Sequence, residues 1–184
     1  MFTIAVDQEK LAFDDDSVLV ERFLGGDTAS FETIYRKYYD RIHVIARGIL
    51  LDNDDAADTV QEIFTLVYRN LPRFDRRSRF STWLFRVAVN RSIQQVRSLK
   101  FKRRWIELDE RIPAPEISES LLEPRVELAM TKLNPDDRAI LTLFYWEELS
   151  LNEIADSMGI QMNAAKTRLY RARERFRQYY EVEP

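Results

Sequence analysis

The stretch "SLNEIADSMGIQMNAAKTRLYRARERF", residues 150–176, decides the fold of the C-terminal part of the chain. Ser150 and Glu153 have the spacing of a capping box, in which a hydroxyl and a carboxylate satisfy free backbone N–H groups at a helix start. Gly159 ends this short helix, and a second helix is predicted to begin within a few residues, with Asn163 as a possible cap and Gln161 or Met162 as alternatives. A short helix, a turn that contains glycine and a second helix are typical of a helix-turn-helix.

The second helix has two faces of different composition. Small and apolar residues recur at helical spacing and predict a core stripe: Ala165, Leu169, Ala172 and Phe176. The other side is basic and polar, with Lys166, Thr167, Arg168, Tyr170, Arg171, Arg173 and Arg175. Such side chains neutralise phosphates and donate hydrogen bonds to guanine edges, so this face predicts binding in a DNA major groove. The alternative is a basic helix that is simply solvated.

A second basic segment, residues 76–105, contains ten Lys or Arg residues, five Phe or Trp residues and no carboxylate. Read as a helix over residues 80–99, it places Phe85, Val89, Ile93 and Val96 on a core stripe. A second stripe carries Trp83, Asn90, Gln94 and Arg97. An exposed ring, amides and a guanidinium stack on unpaired bases and pair with their edges, which favours single-stranded DNA as the ligand. The alternative for Trp83 is a place in the core.

These two basic segments stand in an acidic background. The net charge of the chain is −3, but residues 1–75 and 106–163 are acidic, whereas 76–105 and 164–184 are basic. Because salt screens exposed charges beyond roughly 10 Å, a polyanion responds to the local charge rather than to the chain average. Nucleic acid therefore remains a predicted partner of an acidic protein.

The rest of the chain also has helical periodicity, with only four glycines and six prolines, which predicts an all-α protein. A first helix is expected at 17–24, ending at Gly25 and Gly26. Asp27 is a candidate cap for the next helix, and a third helix spans 54–71 and ends before Pro72. Residues 106–124, "IELDERIPAPEISESLLEP", have three prolines and six acidic residues and are interpreted as a linker.

The predicted organisation is an acidic N-terminal tail (1–16), a first helical domain (17–105), the acidic linker (106–124) and a second helical domain with the helix-turn-helix (125–184). Zero cysteines exclude disulfides and thiolate zinc sites, and the one histidine, His43, is interpreted as structural. The carboxylates of residues 52–58 are interpreted as helix capping and solvation rather than catalysis. We therefore expect no catalytic residue, metal, cofactor or small-molecule substrate. The absence of a long apolar run and of signal-peptide features predicts a cytoplasmic protein with no membrane insertion.

Four segments together resemble the extracytoplasmic-function sigma factors, the small two-domain initiation subunits of bacterial RNA polymerase. They are "FETIYRKYYDRI" (31–42), "DAADTVQEIFTLVYRNLPRF" (55–74), "FSTWLFRVAVN" (80–90) and "LSLNEIADSMGIQMNAAKTRLYRARERFR" (149–177). The resemblance covers about residues 17–180 and follows the order and spacing of the core-binding, melting and helix-turn-helix segments of the family.

The resemblance implies a set of partners and contact residues. The clamp coiled coil of the largest polymerase subunit is expected to bind Asp58, Gln61, Glu62 and Ile63. The −10 element of promoter DNA, as a single strand, is expected to contact Phe74, Arg76, Arg77, Ser78, Trp83, Asn90, Gln94 and Arg97. The −35 element, as a duplex, is expected to contact Lys166, Thr167, Arg168, Tyr170, Arg171 and Arg173. Further implied partners are the flap of the second-largest subunit and an anti-sigma factor.

The chain departs from the family pattern in the base-capture loop, where Arg76 and Arg77 replace a common Gly-Asp. Two guanidinium groups favour contact with phosphate there. The implied function is that of a sigma factor, which binds core polymerase, directs it to a subset of promoters and assists their opening. The alternative is a helix-turn-helix regulator that binds duplex DNA independently of polymerase. It leaves the acid-free aromatic segment and the long linker unexplained.

Overall fold

The computed structural model describes residues 15–106 and 123–181, with side chains for 16–101 and 123–181. Within these ranges the chain forms α1 (Asp15–Leu24), α2 (Ala29–Leu50), α3 (Asn53–Asn70), a 3₁₀ turn (Leu71–Arg73), α4 (Phe80–Ile106), α5 (Pro124–Thr131), α6 (Pro135–Tyr145), α7 (Leu151–Met158) and α8 (Met162–Glu181). The described residues contain no strand, which confirms the all-α prediction. Most of the predicted tail and linker lie outside the described residues.

Helices α1 to α4 bury their apolar stripes against one another. The long helix α2 contributes Ile34, Tyr38, Ile42, Ile45 and Ile49, all of them buried. The predicted α4 stripe of Phe85, Val89, Ile93 and Val96 is also buried, which confirms that interpretation. Helix α1 is attached to α2 by the buried carboxylate of Asp16, which accepts hydrogen bonds from Lys37 Nζ at 2.7 Å and from the Tyr38 hydroxyl.

The helix-turn-helix forms as the sequence predicts. The Ser150 hydroxyl accepts a hydrogen bond from the Glu153 N–H at 3.3 Å, and the Glu153 carboxylate accepts one from the Ser150 N–H at 3.0 Å. The Ser150 hydroxyl also donates a hydrogen bond of 2.7 Å to the Glu153 carboxylate, and this bond, together with that from the Ser150 N–H, holds the pKa of Glu153 below its ordinary value. Gly159 ends α7 with φ +65°, a left-handed conformation that glycine adopts without a side-chain clash. The second helix begins at Met162, so of the three candidate caps Gln161 is the residue that precedes it, and the Gln161 carbonyl accepts a hydrogen bond of 2.9 Å from the Ala165 N–H.

The two halves of the chain pack together, which the sequence did not predict. Helix α2 lies against α6 and α4 lies against α7, so that one apolar core runs through both. The Arg138 guanidinium of α6 donates a buried hydrogen bond of 2.8 Å to the Ile49 carbonyl near the end of α2. Burial lowers the pKa of Arg138. We call the surface between α1–α4 and α5–α8 the domain contact.

Ion pairs also cross the domain contact. Arg41 Nε lies 2.6 Å from Glu147 Oε2, and Arg47 Nη2 lies 3.2 Å from Glu127 Oε1. The Glu147 side chain is only 4% exposed, and its burial raises its pKa although Arg41 acts in the opposite direction. Desolvation thus outweighs the attraction between the two charges, as is common for a carboxylate removed from water.

The raised pKa of Glu147 predicts that acid favours the packed form. A carboxyl group whose pKa is raised in the packed form is protonated more readily there than when the two halves are apart. Its protonation therefore stabilises the packed form fully below the ordinary pKa, and this stabilisation is lost as the pH rises through the raised pKa. We therefore expect the distance between fluorophores placed on the two halves to shorten as the pH falls from 7 towards 5. In Glu147→Gln, which cannot titrate, this change should disappear; persistence of the full change would assign it to another group.

Candidate nucleic-acid interface

Helix α8 presents an exposed polar face on the side opposite its core stripe. Ala165, Leu169 and Ala172 are buried, whereas Lys166, Thr167, Tyr170 and Arg171 are exposed. Tyr170 is 66% exposed although it is aromatic. The structure thus brings together four of the six residues predicted to contact duplex DNA, on the N-terminal half of the second helix of the helix-turn-helix. This is the half that contacts base edges in proteins that use this motif.

Arg168 lies at the edge of this face and is held by an acidic residue. Its Nη1 is 3.1 Å from Asp136 Oδ1 at the start of α6. About two turns further along α8, Arg175 pairs in the same way with the buried carboxylate of Asp137. Both pairs join α8 to the first turn of α6. The guanidinium of Arg168 is therefore oriented by Asp136.

Arg173 is not brought together with the other predicted contacts. Its guanidinium lies over the ring of Phe144, 4.5 Å from the centroid, and 5.4 Å from that of Tyr145. This cation–π arrangement places Arg173 against the C-terminal end of α6. The periodicity of α8 could have shown this, because Arg173 lies four residues beyond the buried Leu169 and therefore on the same side of the helix.

Trp83 is partly in the core and partly accessible, so its position is compatible with both a packing role and a role in stacking on a base. It is half-buried, and its ring packs against Phe74 at 5.2 Å and Phe80 at 5.9 Å between centroids. The remaining polar residues of its stripe, Asn90, Gln94 and Arg97, are exposed. The indole is therefore packed against the core on one side while part of it stays accessible, on the same helical stripe as the exposed amides.

The loop before α4 contains Arg76 and Arg77, the two arginines that replace the common Gly-Asp of the family pattern. Arg76 has a left-handed backbone, φ +57°, and pairs with Glu21 at 2.7 Å, while Arg77 pairs with Asp75 at 3.2 Å. Exposed pairs of this kind contribute about 0 to 1 kcal/mol, so both guanidinium groups can exchange a carboxylate for a phosphate. Ser78 is half-buried between this loop and α4.

Helix α3 exposes three of the four residues predicted to contact polymerase. Asp58, Gln61 and Glu62 lie on its outer face. Ile63 is 0% exposed, so its inclusion in this contact set was wrong. The face of α3 that contains residues 56, 60, 63 and 67 packs into the core, and Ile63 helps to hold the helix rather than to bind a partner.

The face of α4 that is predicted to bind DNA points towards the second half of the chain. A β-carbon on Gly159 would lie 2.5 Å from Arg86 Nη2, and Arg79 Nη1 is 3.9 Å from Glu153 Oε1. Asn90, Gln94 and Arg97 line a cleft that also contains Asp136. Asp136 lines a second cleft, beside Thr167, Arg168 and Arg171 of α8. The two predicted DNA faces therefore lie close together, on either side of one carboxylate.

Other residues considered from the sequence have structural surroundings. His43 is half-buried, and its ring stacks on Tyr39 with centroids 6.2 Å apart. Asp52 caps α3 by accepting a hydrogen bond of 2.8 Å from the Asp55 N–H, as its position at a helix start predicts. The described part of the chain contains no group of acidic or imidazole side chains arranged for a metal ion, and no helix in it is long and apolar enough to cross a membrane.

Comparison with known proteins points to one family. Residues 34–102 match the model of sigma-70 region 2, and residues 124–176 match that of sigma-70 region 4. The chain is 30% identical over 167 residues to the ECF RNA polymerase sigma factor SigW of Bacillus subtilis, which covers 83% of this chain and 89% of that protein. It is 31% identical over 176 residues to the ECF RNA polymerase sigma-E factor of Escherichia coli K12, which covers 86% of this chain and 91% of that one.

Two solved structures have the same fold. The structure of CnrH in complex with the cytosolic domain of CnrY aligns with a TM-score of 0.72 at 23% identity and covers 93% of this chain and all of that one. The sigma factor RpoE in complex with the anti-sigma factor NepR, from Bartonella quintana, aligns with a TM-score of 0.65 at 23% identity and covers 84% of this chain and 98% of that one.

Proposed function

Since this chain belongs to the extracytoplasmic-function sigma factors, which are initiation factors and not enzymes, we propose that it directs core RNA polymerase to a particular set of promoters and assists their opening. The observation that carries this proposal is the presence of two polar faces of different character on separate helices. The face on α8 offers exposed basic side chains on a recognition helix, and the face on α4 offers amides and a guanidinium beside a half-buried indole. The first suits paired DNA and the second suits unpaired DNA.

The α8 face is proposed to bind the −35 element through Lys166, Thr167, Tyr170 and Arg171. Arg168 adds a contact from the side, once it exchanges Asp136 for a phosphate. Arg173 is excluded from this set because of its position against Phe144 and Tyr145. The N-terminal half of α8 enters the major groove in this arrangement, as in other helix-turn-helix proteins.

Arg171→Ala tests this assignment. Loss of a guanidinium that contacts a phosphate or a base edge costs about 1–3 kcal/mol, so we expect roughly tenfold weaker binding of the holoenzyme to duplex −35 DNA, with unchanged affinity for core polymerase. Electrophoretic mobility shift with a duplex probe and a pull-down with core polymerase measure the two quantities. Arg177→Ala removes the same charge near the end of α8 and is the control. Equal loss of DNA and polymerase binding in Arg171→Ala would contradict the assignment.

The α4 face is proposed to hold the non-template strand of the −10 element. Trp83, Asn90, Gln94 and Arg97 contact an unstacked base and its neighbours, and Phe74, Arg76, Arg77 and Ser78 contact the adjoining backbone. Extruding a base from the duplex costs on the order of a few kcal/mol, and a site that binds only the extruded form offsets this cost. Promoter opening then follows from tighter binding to parted strands than to paired ones.

The outer face of α3 is proposed to bind the clamp coiled coil of the largest polymerase subunit through Asp58, Gln61 and Glu62. Two carboxylates and an amide on one helical face suit a basic partner helix. The α5–α8 half is proposed to bind the flap of the second-largest subunit. The protein acts in the cytoplasm, where the polymerase and the chromosome are. The two structural relatives were solved with CnrY and with the anti-sigma factor NepR, which supports the proposal that an anti-sigma factor also binds this chain.

Promoter binding requires the domain contact to open. The −10 and −35 elements are separated by about 25 base pairs, or roughly 85 Å of B-form DNA at 3.4 Å per pair. The α4 and α8 faces instead share Asp136 between their two clefts. Both elements cannot be bound at once in this arrangement. The packed form is therefore proposed to be a resting form, which separates when polymerase binds.

Run-off transcription with core polymerase and a genomic promoter library is the direct test. We expect discrete transcripts that depend on this protein, and forked promoter DNA should bind the holoenzyme more tightly than fully paired DNA. A regulator independent of polymerase would instead protect duplex DNA when added alone and would not co-purify with core polymerase. That result would replace the proposal by the helix-turn-helix regulator.

A further inference from the structure

Arg91 joins the proposed polymerase face of α3 to the proposed DNA face of α4. Its Nε donates a hydrogen bond of 2.7 Å to Glu62 Oε2, and its Nη2 donates to the same oxygen. The guanidinium also reaches two amide oxygens of its own helix, Gln94 Oε1 at 3.4 Å and Gln95 Oε1 at 3.3 Å. One side chain thus contacts both a residue assigned to polymerase binding and a residue assigned to single-strand binding.

The bonds of Arg91 are unequal in strength. Both bonds to Glu62 join two opposite charges, whereas those to Gln94 and Gln95 are long bonds to neutral carbonyl groups. Arg91 is only 20% exposed while Glu62 is 49% exposed, so a partner can approach Glu62 without first displacing Arg91. A basic helix that binds Glu62 would compete for the carboxylate, and Arg91 would keep only its two weaker bonds.

We propose that Arg91 is a positioning residue that couples docking of polymerase on α3 to binding of single-stranded DNA on α4. In the free protein Glu62 neutralises Arg91 and holds it towards α3. When a basic surface of polymerase takes Glu62, the guanidinium turns to the α4 face and donates to a phosphate of the strand beside Gln94. This inference rests on the proposed function, because it requires that α3 binds polymerase and that α4 binds DNA.

The coupling acts in both directions. If polymerase raises the affinity of α4 for the single strand, the single strand must raise the affinity of α3 for polymerase by the same factor. The factor is expected to be roughly three- to fivefold, which is the scale of a partly exposed ion pair. It should fall at high salt, because both the ion pair and the phosphate contact are screened.

Fluorescence anisotropy with a labelled single-stranded oligonucleotide tests the coupling. The oligonucleotide carries the non-template −10 strand of a promoter identified by run-off transcription. In the absence of polymerase, Glu62→Gln should bind it roughly three- to fivefold more tightly than the wild type, because its neutral amide no longer neutralises Arg91. Adding Arg91→Gln to Glu62→Gln should remove this gain. Asp54→Asn makes the same charge change at another exposed position of α3. It should give less than half of the gain in affinity that Glu62→Gln gives.

Three results would overturn the coupling: no gain in Glu62→Gln, an equal gain in Asp54→Asn, or a gain that persists without Arg91. Thermal unfolding of each variant shows whether a difference in binding reflects lost stability, and Arg91→Lys, which keeps the charge, should retain part of the gain. Binding of the oligonucleotide by the wild-type holoenzyme separates this inference from the proposed function. If the wild-type holoenzyme fails to bind it, the assignment of α4 fails; if it binds but the variants behave alike, only the role of Arg91 fails.

Discussion

Gly48→Ala is expected to separate the two halves of the protein without breaking a helix. A β-carbon on Gly48 would lie 2.7 Å from Thr142 Cγ2 and closer still to the Thr142 hydroxyl, across the domain contact. Gly48 lies within α2 and has an ordinary helical backbone, so alanine by itself favours that helix by roughly 1 kcal/mol. Overpacking of a close contact costs about 1–3 kcal/mol, which shifts the equilibrium between the packed and separated forms by roughly 5- to 150-fold.

The separation can be measured by energy transfer between two fluorophores. The sequence has no cysteine, so Thr33→Cys on α2 and Gln178→Cys on α8 provide unique attachment points at exposed positions. In Gly48→Ala we expect a longer mean distance and, because the two halves no longer have to separate first, faster association with forked promoter DNA after polymerase is added.

Two further variants act as controls for Gly48→Ala. Gly25→Ala also adds a methyl group to a glycine, but its β-carbon would meet backbone oxygens of Glu21 and Arg22 at an ordinary 3.4 Å, so it should leave the distance unchanged. Thr142→Ala removes the hydroxyl and Cγ2 that a residue at 48 would meet, and in combination with Gly48→Ala it should restore most of the packed form. An unchanged distance in Gly48→Ala, with normal folding, would show that the domain contact adapts to the added methyl group.

Trp83→Ala is expected to impair promoter opening more than promoter binding. Stacking of a base on an aromatic side chain is worth about 1–3 kcal/mol, and Trp83 is the aromatic residue of the α4 face, about two turns before Asn90. We expect roughly a 10- to 100-fold decrease in open complex with little change in the first, closed complex. Permanganate reactivity of unpaired thymines measures opening, and a mobility shift at low temperature measures the first complex.

The packing of Trp83 against Phe74 and Phe80 requires a control for folding. Trp83→Phe keeps an aromatic ring in that cluster and should recover much of the opening. Phe80→Leu weakens the buried part of the same cluster without touching the accessible part of the indole. If normal permanganate reactivity were found in Trp83→Ala, or if Phe80→Leu and Trp83→Ala lost opening in parallel with melting temperature, Trp83 would be a core residue only.

The helices and the helix-turn-helix could be predicted from the sequence because their signals are local. Ser150, Glu153 and Gly159 lie within ten residues of one another, and the α4 stripe repeats every three or four residues. Ile63 was wrongly included because the family resemblance implied a contact set of neighbouring positions, without regard to the side of the helix on which each one lies. Its place beside Glu62 in the sequence puts it about 100° away around the helix, on the core side.

The domain contact could not be predicted because its partners are distant along the chain. Arg138 and the Ile49 carbonyl are 89 residues apart, and Arg41 and Glu147 are 106 residues apart. Neither pair produces a periodic pattern, and the acidic linker between the halves indicated a tether rather than a packed pair. Arg91 was missed for a similar reason, since its bond to Glu62 spans 29 residues and joins two helices.

The close fit of Thr142 against the backbone of Gly48 also limits the exchange of one half of the protein without the other. A chimaera that joined α1–α4 of this protein to the corresponding C-terminal half of a relative would place Gly48 against a residue other than its own Thr142 partner. Such an exchange could transfer promoter preference and still leave the two halves of the hybrid unable to pack together. The hybrid would then lack the proposed resting form.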